Sequence, residues 1–360
     1  MARASLAVLA LLALASRLDA APDSASDAFS WSGFALARGT SGPDTAPFQE
    51  RGLSAQVQLG VDWRPSVFFG THVHLLARDD DGRAKRGRAG VVEAYAEWNV
   101  HRAQSRLRIL GGAFFLPSSR ENIDELWATP YTITSSALNT WLGEELRPIG
   151  VDAAYTWRRS LTIGGTVFRG NDTFGGLPAD RGWVLGDRWT VLGEHVPADA
   201  EYYTSVSAET DHRLGWSARA RWNNDHANVQ LTRIDNRGDA LEHGELLNWE
   251  TPFTIAGADY TLGDWNFAGE YGWGTTTVEF SQLRFPSTID AGYVLVSRRF
   301  ASSRASLRAD DFRVRTVRTR AITAAWFWMP PGKVRLGVEA TVAGGKRRAM
   351  AEVRYRFSAH

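Results

Sequence analysis

Apolar and polar residues alternate with period two along much of this 360-residue chain. Leu53-Ser54-Ala55-Gln56-Val57-Gln58-Leu59-Gly60-Val61-Asp62-Trp63 sets apolar against small or polar positions, and the segments Leu161 to Arg169 and Val334 to Val342 repeat the pattern. Strand side chains point alternately to opposite faces, so each segment predicts a strand with one greasy and one polar side. The last segment is the sharpest. Ala349, Ala351, Val353, Tyr355 and Phe357 fall on one face, and Arg348, Met350, Glu352, Arg354 and Arg356 on the other. Sixteen such segments begin near Phe29, Leu53, Val67, Val91, Arg106, Ile149, Leu161, Leu214, Ala227, Trp249, Trp265, Ile289, Arg304, Thr319, Val334 and Arg348. Each is roughly nine to twelve residues long, which is what a tilted membrane strand requires.

The connections alternate between short and long. Short ones fall at Arg64-Pro65, His101 to Ser105, Arg158 to Ser160, Asn223 to His226, Leu262 to Asp264, Ala301 to Ser303 and Met329 to Lys333. Long or polar ones fall at Arg38 to Gly52, Arg78 to Gly90, Leu116 to Pro148, Gly170 to Arg213, Asp235 to Asn248, Gly274 to Thr288, Arg315 to Arg318 and Ala343 to Arg347, the last two only modestly long. A soluble sandwich has no reason to gather its tight turns at one end. A transmembrane barrel does, with short periplasmic turns and longer outer loops, and an even strand number returns both chain ends to the periplasm.

Aromatic residues fit the same scheme. The strands that run into the short turns end in Trp63, Trp98, Trp157, Trp222, Tyr260, Phe300, Trp328 and Phe357. Amphipathic rings gather where hydrocarbon meets water, so Trp63, Trp98, Trp157, Trp222, Trp328 and Phe357 predict a periplasmic aromatic girdle. The parity of Tyr260 and Phe300 is left open, since a bulge there would shift the register.

Composition narrows the class. With 41 Lys+Arg against 40 Asp+Glu the net charge is +1, which argues against a nucleic-acid partner. Only Lys85, Lys333 and Lys346 are lysines, so the positive charge is nearly all arginine. The absence of cysteine excludes disulfides, thiol catalysis and thiolate metal sites. At the N-terminus, Arg3 precedes the apolar run Leu6 to Ala15, and small-residue cleavage sites follow Ala15 or Ala20. This predicts a signal peptide over residues 1–20 and a mature barrel over 21–360. No later apolar run is long enough for a membrane helix, so an exported chain of this kind is either soluble or an outer-membrane barrel.

No catalytic constellation stands out, and neither a phosphate-binding glycine loop nor a zinc-ligand helix motif is present. The reading is therefore non-enzymatic, with no cofactor and no metal. By parity, Arg106, Arg108, Arg219, Arg221, Arg308, Arg335, Arg354 and Arg356 point into the lumen, partly offset by Glu93, Glu97, Glu339 and Glu352. Glu270 joins these carboxylates, which makes a mixed wall with a basic lean, consistent with mild anion preference. The connection at 116–148 carries Arg120, Glu121, Asp124, Glu125, Glu144, Glu145 and Arg147. Folded inward, it would narrow a lumen as wide as sixteen strands enclose. Its charges would either set a transverse field across the constriction or tie the loop to the wall through ion pairs.

The stretch Phe114-Phe115-Leu116-Pro117-Ser118-Ser119-Arg120-Glu121-Asn122, with Arg147-Pro148-Ile149-Gly150-Val151 after it, resembles the Gram-negative porin superfamily, most closely its phosphate-selective group. Ser297-Arg298-Arg299-Phe300, Arg308-Ala309-Asp310-Asp311-Phe312 and the closing strand resemble late segments of the same proteins. The resemblance implies an all-β, sixteen-stranded, antiparallel up-and-down barrel in the outer membrane. It also implies trimers, membrane insertion by the barrel assembly machinery through the C-terminal strand, lipid contact outside and small hydrophilic solutes inside. Two departures limit it. The lysine cluster of a phosphate-selective site is missing, and Ser358-Ala359-His360 follow the closing aromatic. The expected function is a porin-like diffusion channel. The alternative is a plugged barrel acting as a receptor, adhesin or envelope-structural protein, which the aromatic-rich Gly170 to Arg213 connection favours.

Overall fold

The computed structural model describes residues 28–43, 45–48, 52–79, 88–198 and 202–359. The expected signal peptide lies outside them. Sixteen antiparallel strands close on themselves: β1 Phe29–Ser41, β2 Gly52–Trp63, β3 Phe69–Arg78, β4 Ala89–Arg102, β5 Ser105–Ala113, β6 Ile149–Trp157, β7 Leu161–Arg169, β8 Gly215–Asn223, β9 Ala227–Asp235, β10 Pro252–Leu262, β11 Trp265–Phe280, β12 Leu283–Phe300, β13 Ser303–Val314, β14 Val317–Trp328, β15 Val334–Ala343 and β16 Lys346–Ala359. Every neighbour in sequence is a neighbour in the wall, and β16 pairs with β1 from Trp31↔Ala359 to Ser41↔Ala349. Closure leaves no sheet edge, so each backbone polar group in the wall has a partner without water. That is the condition for spanning hydrocarbon.

Alternation sets what each face meets. Outward positions on β6 and β7 are Ile149, Val151, Tyr155, Trp157, Leu161, Ile163 and Val167, all exposed. Their inward neighbours Asp152, Thr162 and Thr166 are buried and polar. An apolar exterior over a polar interior inverts a soluble core, and the free energy favours lipid outside. Among the described residues no helix is long and apolar enough to cross a membrane, so the strands are the spanning elements.

The turns gather by length, with one correction. Tight connections at 64–68, 103–104, 158–160, 224–226, 263–264, 301–302 and 329–333 share one end with Phe29 and Ala359. At the other end the connections at 114–148 and 170–214 are long. The Gly274 to Thr288 segment was expected to be a loop. It continues β11 and β12 as a paired ribbon from Gly274↔Ile289 to Phe280↔Leu283. Ser281 and Gln282 (φ 49° and 66°) turn it, and Gly344 and Gly345 (φ 53° and 79°) turn β15 into β16. Two consecutive left-handed residues match the twist of a hairpin, which glycine reaches without steric cost. With Arg315 and Thr316 joining β13 to β14, three outer connections are therefore tight. Paired β-ribbon residues satisfy each other's backbone groups and need no loop.

The irregularity lies elsewhere than Tyr260 or Phe300, whose pairings run in register and whose rings are exposed. The register slips between His74↔Glu93 and Leu75↔Val91, leaving Val92 as the extra residue of β4. The bulge turns Val92 into a buried cluster with Leu76, Phe115, Trp189 and Val191.

Candidate functional site: the lumen and its third outer connection

Residues 114–148 leave the top of β5, fold against the inner wall and return to β6. Their conformation follows from local chemistry. Ser136 caps the helix Ala137–Glu145 by accepting from the Asn139 backbone N–H at 3.3 Å, a normal N-cap. Trp141 on that helix stacks on Phe174 (4.5 Å, 5°) and meets Phe253 of β10 edge-on (4.8 Å, 82°). Nearer the start, Phe115 lies between Trp127 (stacked, 4.2 Å) and the Arg147 guanidinium, whose carbon is 3.4 Å from the ring centroid. These contacts bury the connection in aromatic surface before any charge is paired.

The charges then fix it to the wall. Glu121 accepts from the Arg308 guanidinium at 2.7 Å, from the Ser136 backbone N–H and from Asn139. Arg308, fully buried on β13, also donates to Asp310 and to the carbonyls of Thr134 and Ser135. Glu339 on β15 accepts from the backbone N–H groups of Ile133 and Thr134 at 2.7 and 3.0 Å and from the Thr134 hydroxyl. Glu93 on β4 accepts from the Phe115 N–H at 2.7 Å, and Glu270 on β11 from Asn139 at 2.7 Å. Asp124 pairs with Arg356 at 2.5 Å. Glu144 pairs with Arg181 of the fourth connection at 2.6 Å.

Glu145 is buried and accepts from Trp141, the Thr204 hydroxyl and the backbone N–H groups of Gly175 and Leu177. Burial outweighs those bonds and pushes its carboxyl up to about 7. Arg147 is buried among the carbonyls of Gly143 and Leu146, and burial pulls its guanidinium down to about 9. Of the seven charged residues singled out on this connection, only Glu125 is exposed and Asp124 partly so. The others are tied down rather than spread across open water.

The rest of the wall set divides by height. Arg335 and Arg354 both reach Glu352, which Arg38 also reaches at 2.7 Å while clamping Asp187 of the fourth connection. Sequence had not flagged Arg38 or Asp187. They lie 149 positions apart and only barrel closure brings them together. Arg219 binds Asp152 through both terminal nitrogens at 2.5 and 2.7 Å, with Arg108 at 3.8 Å. Arg106 donates to Asn99 and lies 3.6 Å from Glu97. Each of the sixteen strands carries at least one inward residue no more than 9% exposed, among them Gln58, His74, Asp152, Thr232, Arg308 and Thr323. Open space remains toward the short-turn end, as a cleft of about 410 Å³ beside Asp62, His72, Tyr95 and Glu97 and one of about 110 Å³ beside Arg106, Arg108, Arg219 and Arg221.

Outside, Trp63, Trp98, Trp157, Trp222 and Trp328 are 37–52% exposed at the short-turn end. Phe357 differs, being only 2% exposed. Its ring lies across β1 in the slot that Gly33 leaves, covered by Trp31 at 5.9 Å, so it seals the barrel seam instead of facing lipid. In the fourth connection Asp172, Glu209 and Asp211 bring carboxylate oxygens within 4.8 Å of one another. Thr210 and the Asp211 backbone already donate to Asp172.

A closed barrel of sixteen strands, short turns at one end and a long third connection folded inside decide the architecture. The fold is that of the bacterial porins. The chain is similar to Vibrio cholerae OmpT, described as an outer membrane protein, with TM-score 0.58 and 11% identity over 92% of this chain and all of that one. It is similar to Salmonella typhi OmpF in a daunomycin complex, with TM-score 0.57 and 11% identity over 91% and 97%. A further porin matches with TM-score 0.50 and 11% identity over 91% of this chain and all of that one. No protein-family model matches the sequence, and no curated protein matches it either. The porin-type barrel, with its lipid-facing belt, is an outer-membrane structure.

Proposed function

We propose that this chain is a porin-type channel that lets small hydrophilic solutes cross the outer membrane by passive diffusion, with residues 114–148 as its constriction. The observation that carries the reading is the pinning of that connection to the inner wall by Glu121–Arg308, Glu339 and Glu93, inside a barrel whose inner face is polar. Solutes meet hydrogen bonds and fixed charges, and no covalent step is involved. The pinned connection occupies part of the lumen, so the proposed channel is narrower than the bare barrel. The OmpT form described as a trimer supports a homotrimer here as well. Assembly would proceed through β16, whose Phe357 closes the seam against β1. The narrower likeness to phosphate-selective porins is carried by Phe114 to Asn122 and Arg147 to Val151, and this chain lacks the lysine cluster of such a site.

A plugged barrel is the second reading. The many buried inward side chains favour it, as does the small sheet of Glu242–His243, Leu246–Leu247, Tyr203–Ser205 and His195–Pro197 built on the outer connections. Solute-swelling assays on proteoliposomes separate the two. A channel admits small sugars or amino acids at a rate that falls with solute size. A plugged barrel shows the permeability of empty liposomes.

A further inference from the structure

We infer that the short-turn vestibule holds a binding site for a small oxyanion, a phosphate or carboxylate group, centred on Arg221. The inference deepens the channel reading by naming a solute class. The cleft of about 110 Å³ is lined by Arg106, Arg108, Arg219, Arg221, Thr162 and Gln230. Pro117 roofs it from the third connection, held by the Gln230 amide donating to its carbonyl at 2.7 Å.

Charge does not balance there. Asp152 answers Arg219 at 2.5 Å and lies 3.8 Å from Arg108, and Asp259 lies 3.8 Å from Arg120. Glu97 lies 3.6 Å from Arg106, so five guanidiniums share three carboxylates. Arg221 is the one left over. Its Nε is buried without an acceptor, and among the described residues no hydrogen bond or ion pair reaches its terminal nitrogens. Other buried arginines with an unmatched Nε, such as Arg335 and Arg348, bond through their terminal nitrogens to Glu352 and to the Leu185 carbonyl. Arg221 feels the repulsion of Arg120, Arg108 and Arg219 and the attraction of Asp259.

A guanidinium offers five donors in a planar fork that matches two oxygens of a carboxylate or phosphate. Half-burying it among like charges costs free energy that a bound oxyanion would offset. Thr156 and Thr162 also line the cleft and share one hydrogen bond at 2.9 Å, which leaves one of the two hydroxyl protons as a neutral donor. Because the site lies below the pinned connection, its ligand enters from the short-turn side without passing the constriction.

Equilibrium dialysis of the full-length refolded protein against radiolabelled inorganic phosphate, and separately acetate, at low ionic strength tests this. Saturable binding of either is expected, weaker by about tenfold or more in Arg221→Gln. Binding in Arg284→Gln, on the outer ribbon, should be unchanged. Heat-modifiable gel mobility checks that each variant folds. Should Arg221→Gln not fold, Arg221→Lys keeps the charge, loses the fork and is expected to bind several-fold more weakly. Absence of saturable binding of both anions, or equal affinity in wild type and the Arg221 variants, overturns the site. The measurement reads binding and not flux, so its failure leaves the channel proposal standing, and a failed swelling assay leaves this site standing.

Discussion

Arg308 holds more of the third connection than any other described wall residue, donating to Glu121, Thr132, Thr134 and Ser135 there and to Asp310 on its own strand. Removing it would leave two buried carboxylates without their cation. Breaking one side of a buried pair costs about 3–5 kcal/mol, whereas an exposed pair is worth less than about 1 kcal/mol. Arg308→Met is therefore expected to lower the urea midpoint, followed by the folded-to-unfolded gel shift, far more than Arg318→Met, whose partner Asp311 is exposed. Equal midpoints would contradict this. Glu145 gives a pH effect at the same scale. Its carboxyl is raised to about 7 by burial, so the folded state holds a proton that the unfolded chain releases near 4.5. The stability of the junction between the third and fourth connections is thus full below about 4.5 and is lost as pH rises through about 7. Hydrogen exchange over 173–178 should quicken between pH 5 and about 8 beyond its intrinsic rate, and Glu145→Gln should flatten that dependence. A wild-type profile as flat as the variant's would refute it.

At the scale of elements, the strands were readable and the connections only in part. Period-two alternation survives because each wall segment meets lipid on one side and polar groups on the other, so every strand but β12, which starts at Leu283 and not near Ile289, begins within three residues of its expected start. The ribbon at 274–288 was not readable. Nothing in Thr275-Thr276-Thr277-Val278 tells a polar loop from a strand that outruns the membrane. Phe357 was misplaced for a related reason. Parity gives the face of a side chain, but only the neighbouring strand shows that Gly33 leaves room beneath it. A Cβ at Gly33 would stand 2.2 Å from the Gln58 carbonyl oxygen and 2.5 Å from the Phe357 ring. Gly33→Val is therefore predicted to impair closure between β1 and β16, read as a fall in the heat-modifiable fraction after refolding. Normal closure would count against the seam packing described here.

At the scale of the whole molecule, the partners that pin residues 114–148 come from distant parts of the chain. Glu121 and Arg308 are 187 positions apart, and Arg38 and Glu352 are 314 apart. Sequence nominated Glu121 and Arg308 separately, one from a loop and one from strand parity, without any means of joining them. It also left open whether the loop charges cross an open pore or bind the wall. The buried positions of Glu121, Glu144, Glu145 and Arg147 favour tethering, because a carboxylate or guanidinium removed from water is held only where paired or hydrogen-bonded. On the channel reading proposed above, tethering makes permeability a property of the tether. Single-channel recording in planar bilayers, comparing the full-length protein with a Glu121→Gln/Glu339→Gln variant, tests this most directly. Small steps are predicted for the wild type and several-fold larger or noisier ones for the variant as residues 114–148 loosen. Silence from both proteins, each verified as folded and inserted, would contradict the channel account.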